Sequence, residues 1–192
     1  MRVVGGRLKG RVLQGPRSDA IRPTSDRLRE TIFNILAHGL GKHGIEGDVV
    51  TGARVLDLFA GTGALAIEAL SRGAVYAVLA DEGTEARGLQ RGHVEALGLG
   101  GICRILRRDA TKLGPVTPFE PFTLAFCDPP YGKGLGERAL RSALDGGWLA
   151  PGAIVILEER SGLEIVLPEP LVRLDQRVVG EGQILIGMLP AG

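Results

Sequence analysis

The chain has 192 residues, 44% of them apolar and 23% charged, which suits one domain with a real core and excludes a disordered or low-complexity chain. Its apolar runs, such as 74–80, are too short to span a bilayer, and its first residues, MRVVGGRLKGR, lack the apolar stretch of a secretory leader. A cytoplasmic protein is therefore expected. The net charge of +1 hides an asymmetry: residues 1–30 carry eight basic side chains against three acidic ones, so the rest of the chain is mildly acidic. A basic arm of this kind points to a polyanionic partner. Cys103 and Cys127 are the only cysteines and lack metal-ligand spacing. They read as buried thiols, and no metal centre is expected.

In chain order, residues 1–15 read as a β-hairpin, with Val3-Val4 and Val12-Leu13 flanking Gly5-Gly6 and Gly10. A helix follows, because Leu28, Ile32, Ile35 and Leu36 form one apolar stripe. Thr24, Ser25 and Asp26 offer an N-cap after Pro23, and Gly39 offers a stop. Residues 39–52 are glycine-rich and polar, as in a linker. From Ala53 onwards apolar runs alternate with helical stretches: strands at 53–58, 75–80, 102–106, 122–127 and 153–158, and helices at 63–72, 84–97 and 135–146. Residues 171–179 and 183–189 alternate apolar and polar positions around Gly180-Glu181-Gly182, which is a hairpin pattern. The expectation is an α/β, Rossmann-like fold. Its mainly parallel seven-stranded sheet ends in an antiparallel hairpin and is preceded by an N-terminal β-hairpin and helix. The organisation expected is 1–38 for the basic arm and its helix, 39–52 for the linker and 53–192 for the main domain.

Residues 54–65, RVLDLFAGTGAL, read as a strand, a glycine turn and a helix start. Gly61 and Gly63 let the backbone turn tightly and let a ligand approach, and the helix behind them offers free N–H groups. Asp57 at the strand end suits an ammonium group. Asp81 ends the next strand about twenty residues on, where a carboxylate accepts from both hydroxyls of a ribose. This pattern alone fits a dinucleotide as well as other nucleoside cofactors.

The run Phe126-Cys127-Asp128-Pro129-Pro130-Tyr131 discriminates between them. Two prolines stiffen the backbone and remove two donors, leaving carbonyls that only accept. With the Asp128 carboxylate and the Tyr131 ring, the segment suits a planar base bearing an amino group. The ring stacks on Tyr131, and the amino hydrogens point at Asp128 and the Pro129 carbonyl. An exocyclic amine is a poor nucleophile because its lone pair is delocalised. Acceptors that hold its hydrogens favour a pyramidal nitrogen and stabilise the positive charge that develops on it. This chemistry reads an amine and does not by itself separate guanine N2 from adenine N6.

Together these stretches resemble the amino-methyltransferases. More closely, the chain resembles the bacterial 16S rRNA guanine-N2 methyltransferases of the RsmD family, through RVVGGRLKGRVL (2–13), RPTSDRLRETIFNIL (22–36), VLDLFAGTGALAIEALSRGA (55–74), RRDA (107–110) and DPPYGKGL (128–135). The resemblance implies a class I methyltransferase fold and S-adenosylmethionine as cofactor. It puts Asp57, Ala60, Gly61 and Gly63 around the methionine end of that cofactor, with Arg22, Pro23 and Thr24 nearby. It puts Asp81 on the ribose, and Asp109 with the Ala110 N–H on the adenine. Asp128, Pro129, Pro130 and Tyr131 would hold the target guanine, and Arg2, Arg7, Lys9 and Arg11 would grip RNA backbone. The implied partner is small-subunit ribosomal RNA, within a partly assembled particle. The family pattern leads one to expect Asn where His93 stands, and His93 reads as a helix-face residue rather than a ligand. A DNA or adenine amino-methylase would need a target-recognition insertion for which 39–52 is the only room. A dehydrogenase leaves Asp128-Pro129-Pro130-Tyr131 unexplained. A non-catalytic RNA-binding module is disfavoured by the intact Asp81 and Asp128, and a protein-glutamine methylase by Asp rather than Asn at 128.

Overall fold

The computed structural model describes residues 1–192. Its strands are β1 (Arg54–Leu58), β2 (Tyr76–Asp81), β3 (Cys103–Arg107), β4 (Phe122–Cys127), β5 (Leu149–Arg160), β6 (Val172–Val179) and β7 (Gly182–Met188). Its α-helices are α1 (Asp26–Asn34), α2 (Ala64–Ser71), α3 (Thr84–Ala96) and α4 (Leu135–Asp145). The strands form one sheet in the order β3-β2-β1-β4-β5-β7-β6. Strands β1 to β5 run parallel, and β7 runs antiparallel to both β5 and β6. This is the expected sheet, closed by the expected hairpin. The main departure is β5, which starts at Leu149 rather than 153. A register shift opposite Phe122 and Leu124 of β4 lets β5 carry Pro151 and Gly152 as an irregularity. No helix is long and apolar enough to cross a membrane.

Strands buried on both faces need helices on both sides, and two apolar clusters fill those spaces. One joins α1, α2 and the arm to the sheet through Phe33, Leu36, Ile67 and Leu79. The other sets α4 against β4 and β5 through Leu140, Trp148 and Val155. Helix α1 begins as expected, with the Ser25 side chain accepting the Leu28 N–H, and continues as a wider turn, Ile35–Gly39. Residues 39–52 are not loose: Leu40 and Val50 are buried in the same cluster as Val55.

The arm corrects one expectation. It forms no paired strands, only a single antiparallel bridge between Arg2 and Val12. The Val3 and Leu13 N–H groups still donate across the arm, to Arg11 O and Met1 O, both at 2.9 Å, while α2 holds amides of the turn between them. The Glu68 carboxylate accepts the Val4 and Gly5 N–H groups at 2.9 and 2.8 Å, and Ser71 Oγ accepts the Leu8 N–H at 2.9 Å. A Cβ on Gly6 would lie 1.9 Å from the Ser71 carbonyl oxygen, so only glycine fits there. Val3, Leu8 and Leu13 are buried, while Arg2, Arg7, Lys9 and Arg11 remain exposed.

Candidate active site

Strand order makes the site. β1 and β4 are neighbours, but the chain leaves β1 towards β2 and leaves β4 towards β5 on the opposite side. The loops after them therefore part and open a crevice at the carboxyl ends of the strands. A cavity of about 540 Å³ lies there, within the range of small-molecule sites. Arg22, Thr24, Asp57, Ala60, Gly61, Asp81, Asp128, Pro129, Pro130 and Tyr131 all line it. Pro23, Gly63, Asp109 and Ala110 stand outside its lining.

The glycine turn is strained and braced. Phe59 is the one non-glycine residue at positive φ, +54°, in the turn that Gly61 and Gly63 complete at +57° and +82°. Two side chains of α3 hold its carbonyls. Gln90 Nε2 donates to Gly61 O at 2.8 Å, and His93 Nδ1 lies 2.9 Å from Thr62 O. His93 Nε2 accepts the Gln14 N–H at 2.9 Å, so the ring proton sits on Nδ1 and is donated to Thr62. His93 is thus a buried tie between the arm and the glycine turn, a role invisible from its place on a helix face.

Both Asp81 oxygens are anchored, Oδ2 by the Gly61 N–H and Oδ1 by the Gly83 N–H, each at 2.8 Å. A carboxylate oxygen takes a second donor, so both remain able to accept hydroxyls from the cavity. Asp57 is buried and accepts only the Ala66 N–H, at 3.2 Å. Burial pushes its carboxyl well above the ordinary range, and the nearby Asp81 charge adds to this. A buried carboxylate of this kind fits a ligand that brings an ammonium group. Asp109 caps the short turn Ala110–Lys112, and the hydrogen bonds from the Thr111 hydroxyl and N–H hold its carboxyl below the usual range.

Residues 17–24 cross the cavity as a strap. Glu85, in the first turn of α3, accepts the Arg17 and Ser18 N–H groups at 2.6 and 3.2 Å as well as the Ser18 hydroxyl. The strap lies close: Ile21 Cγ2 would be 3.3 Å from a Cβ on Gly61.

Asp128 follows directly on β4. The β4–β5 ladder pairs Cys127 with Leu157, so Asp128 stands beside Glu158, one step further along. Asp128 accepts from Arg22 Nη2 at 3.0 Å and from the Thr24 hydroxyl at 3.1 Å. Burial and then the Glu158 charge push its carboxyl well above the usual carboxylate range. The Arg22 guanidinium lies over the Tyr131 ring, its Cζ 3.6 Å from the ring centroid, and reaches Glu158 Oε1 at 3.4 Å. The Tyr131 hydroxyl donates to the same Glu158 oxygen, and Glu159 accepts the Gly132 N–H at 3.0 Å. The structure therefore puts Arg22 against the tetrapeptide as well as in the cavity. Glu158 was not singled out from the sequence, although two carboxylates closing the apolar run 153–157 were a legible signal.

Comparison with known proteins agrees with this design. Residues 1–188 match the family described as Conserved hypothetical protein 95. The chain is 36% identical over 160 residues to Ribosomal RNA small subunit methyltransferase D of Escherichia coli (strain K12), covering 82% of this chain and 74% of that protein. It is 35% identical over 181 residues to tRNA (guanine(6)-N2)-methyltransferase of Thermus thermophilus, covering 85% of this chain and 52% of that longer protein. The solved structure of Escherichia coli yhhF matches with a TM-score of 0.80 and 31% identity, over 100% of this chain and 99% of that one. A match that runs almost from end to end, on a sheet of the expected order, makes this chain a member of the Conserved hypothetical protein 95 family, the RsmD family of methyltransferases.

Proposed function

We propose that the protein transfers a methyl group from S-adenosylmethionine to the exocyclic N2 amine of a guanine in small-subunit ribosomal RNA, in the cytoplasm and within a partly assembled subunit. The observation that carries this reading is that Asp128, Pro129, Pro130 and Tyr131 line the same cavity as Asp57, Gly61 and Asp81. A methyl donor and an amine acceptor thus share one space. The ribose hydroxyls of the donor suit Asp81, its ammonium group suits buried Asp57, and its adenine belongs towards Asp109 and the Ala110 N–H. S-adenosylmethionine supplies a methyl carbon made electrophilic by its sulfonium. Asp128 and the Pro129 carbonyl hold the amine hydrogens, so that the nitrogen lone pair faces the methyl carbon. Tyr131 stacks the base and fixes its approach. Asp128 is the acceptor for the proton that the nitrogen gives up.

The choice of guanine in ribosomal RNA is supported by relatives whose names specify ribosomal RNA and a guanine N2 atom. The exposed Arg2, Arg7, Lys9 and Arg11 on the arm supply the phosphate contacts that an RNA substrate needs. The 1–38 segment then serves as the RNA-facing part and 53–192 as the methyl-transfer part, joined through 39–52. The test is to incubate the protein with labelled methyl donor and small-subunit particles lacking the modification, then digest the RNA to nucleosides. N2-methylguanosine is the expected product. N6-methyladenosine would keep the mechanism and overturn the base assignment.

Asp81→Ala should weaken S-adenosylmethionine binding by roughly 1.5–3 kcal/mol for each charged hydrogen bond lost. The Gly61 N–H also loses its anchor, which adds to the loss. Calorimetric titration checks this, and an unchanged affinity would remove Asp81 from the donor site.

A further inference from the structure

The space beside Tyr131 is filled by the Arg22 guanidinium, whose Nη2 amino group is held between two carboxylates as an exocyclic amine would be. The Arg22 guanidinium is planar, lies 3.6 Å above the Tyr131 ring, and donates to two carboxylates on neighbouring strands. Both contacts are made by the same Nη2 amino group, 3.0 Å from Asp128 Oδ1 and 3.4 Å from Glu158 Oε1. In guanine the atoms N1–H, C2, N2–H2 and N3 form a guanidine unit set in a flat ring, with donors on two adjacent positions. Adenine at the same edge offers its amine beside a bare N1 lone pair, which a carboxylate repels.

The methyl transfer outlined above makes no use of Glu158. Its residue is 5% exposed, its Oε1 already takes the Tyr131 hydroxyl, and its buried Oε2 finds no donor in the protein. A buried carboxylate oxygen without a donor is costly, so this one has a use elsewhere. Arg22, by contrast, has a side chain that is 49% exposed and can leave the ring.

We propose that Glu158 selects guanine: it accepts the N1–H of the target base while Asp128 and the Pro129 carbonyl take the N2 hydrogens, and the Arg22 guanidinium keeps the seat until the base displaces it. This rests on the reading of the site as a guanine-N2 methyltransferase and adds the residue that makes the choice. Glu158 touches the base and takes no part in the transfer itself.

The experiment compares small-subunit particles carrying guanine or 2-aminopurine at the modified position. 2-Aminopurine keeps the amine on C2 but has a bare N1, so a carboxylate at 158 disfavours it. The wild-type chain should prefer guanine in kcat/KM by roughly 10–100-fold, the discrimination expected of a well-formed pair of base contacts. In Glu158→Gln the side-chain amide can donate to the bare N1. That variant should lose activity on guanine by a similar factor and gain relative activity on 2-aminopurine, narrowing or inverting the preference. Because 2-aminopurine also lacks O6, the quantity to read is the change in preference between wild type and variant. Glu158→Ala, which removes the acceptor without adding a donor, should lose more activity on guanine than on 2-aminopurine, narrowing the preference. Unchanged S-adenosylmethionine affinity shows that each variant is folded. Equal loss on both substrates, or a retained guanine preference, overturns the role of Glu158 while leaving the proposed function intact. A wild-type product other than N2-methylguanosine overturns both.

Discussion

Asp128→Ala should leave S-adenosylmethionine affinity nearly unchanged and lower turnover roughly 100-fold or more, because in the proposed function the residue acts on the amine and not on the donor. The carboxylate accepts from Arg22 and Thr24, both on the strap, while Asp57 and Asp81 stand on β1 and β2 and are untouched by the change. Calorimetry with the methyl donor and single-turnover kinetics with RNA separate the two effects. A pH profile adds a sign. Burial and the Glu158 charge hold the Asp128 carboxyl well above the ordinary range, so it takes up its proton at a higher pH than a free carboxylate does. A protonated carboxyl is a poorer acceptor for the amine proton. Activity should therefore decline on the acid side at a pH above the value of about 4 expected of an unperturbed aspartate. Loss of donor binding in the variant, or an acid limb in the ordinary carboxylate range, would contradict this role.

Glu68→Ala should be the most destabilising single substitution in the chain. Glu68 and Arg29 are both fully buried and pair at 3.0 Å, and Arg72 Nε reaches the second Glu68 oxygen at 2.8 Å. Removing the carboxylate leaves the buried Arg29 guanidinium with only the half-exposed Asp26 as an ionic partner, so that the cost approaches about 3–5 kcal/mol, that of breaking a buried pair. It also strips the Val4 and Gly5 N–H groups of their acceptor, at about 1–3 kcal/mol each where they stay buried. Set against a typical total stability of about 5–15 kcal/mol, this brings the protein close to unfolding. Urea denaturation should show a large fall in midpoint. Hydrogen exchange should show the Val4 and Gly5 amides losing protection before the sheet does, because Glu68 is the acceptor for both. A midpoint unchanged within error would mean that the arm is fastened elsewhere. The same variant should weaken RNA binding, since freeing the arm disperses the charges that the fold gathers on it.

Local pattern carried most of the architecture. Strand and helix identities from Ala53 onwards follow from apolar runs of strand length alternating with helical stripes, and the boundaries differ from the structure by one or two residues apart from the start of β5. The chemistry of the site was also local. Asp128-Pro129-Pro130-Tyr131 and the turn around Gly61 are short continuous segments, and both line the cavity. Three features needed tertiary structure, because each depends on residues far apart in the chain. The arm reads as a hairpin, and its ends do pair through a short antiparallel bridge, but nothing local reveals that Glu68 and Ser71 of α2 take the amides of its turn. His93 reads only as a helix-face residue because nothing in the sequence reveals that Gln14 and Thr62 meet on either side of its ring. Glu158 sits beside Asp128 only because β4 and β5 pair in one register, and Arg22 reaches both only because the strap crosses the carboxyl ends of the strands. Sequence by itself determined the elements, their class and the segments proposed to react, since these are set by periodicity, φ restriction and donor–acceptor chemistry within a few residues. Tertiary structure alone decided which carboxylates stand side by side and which cation lies between them, because strand register and strand order bring together residues up to 136 positions apart.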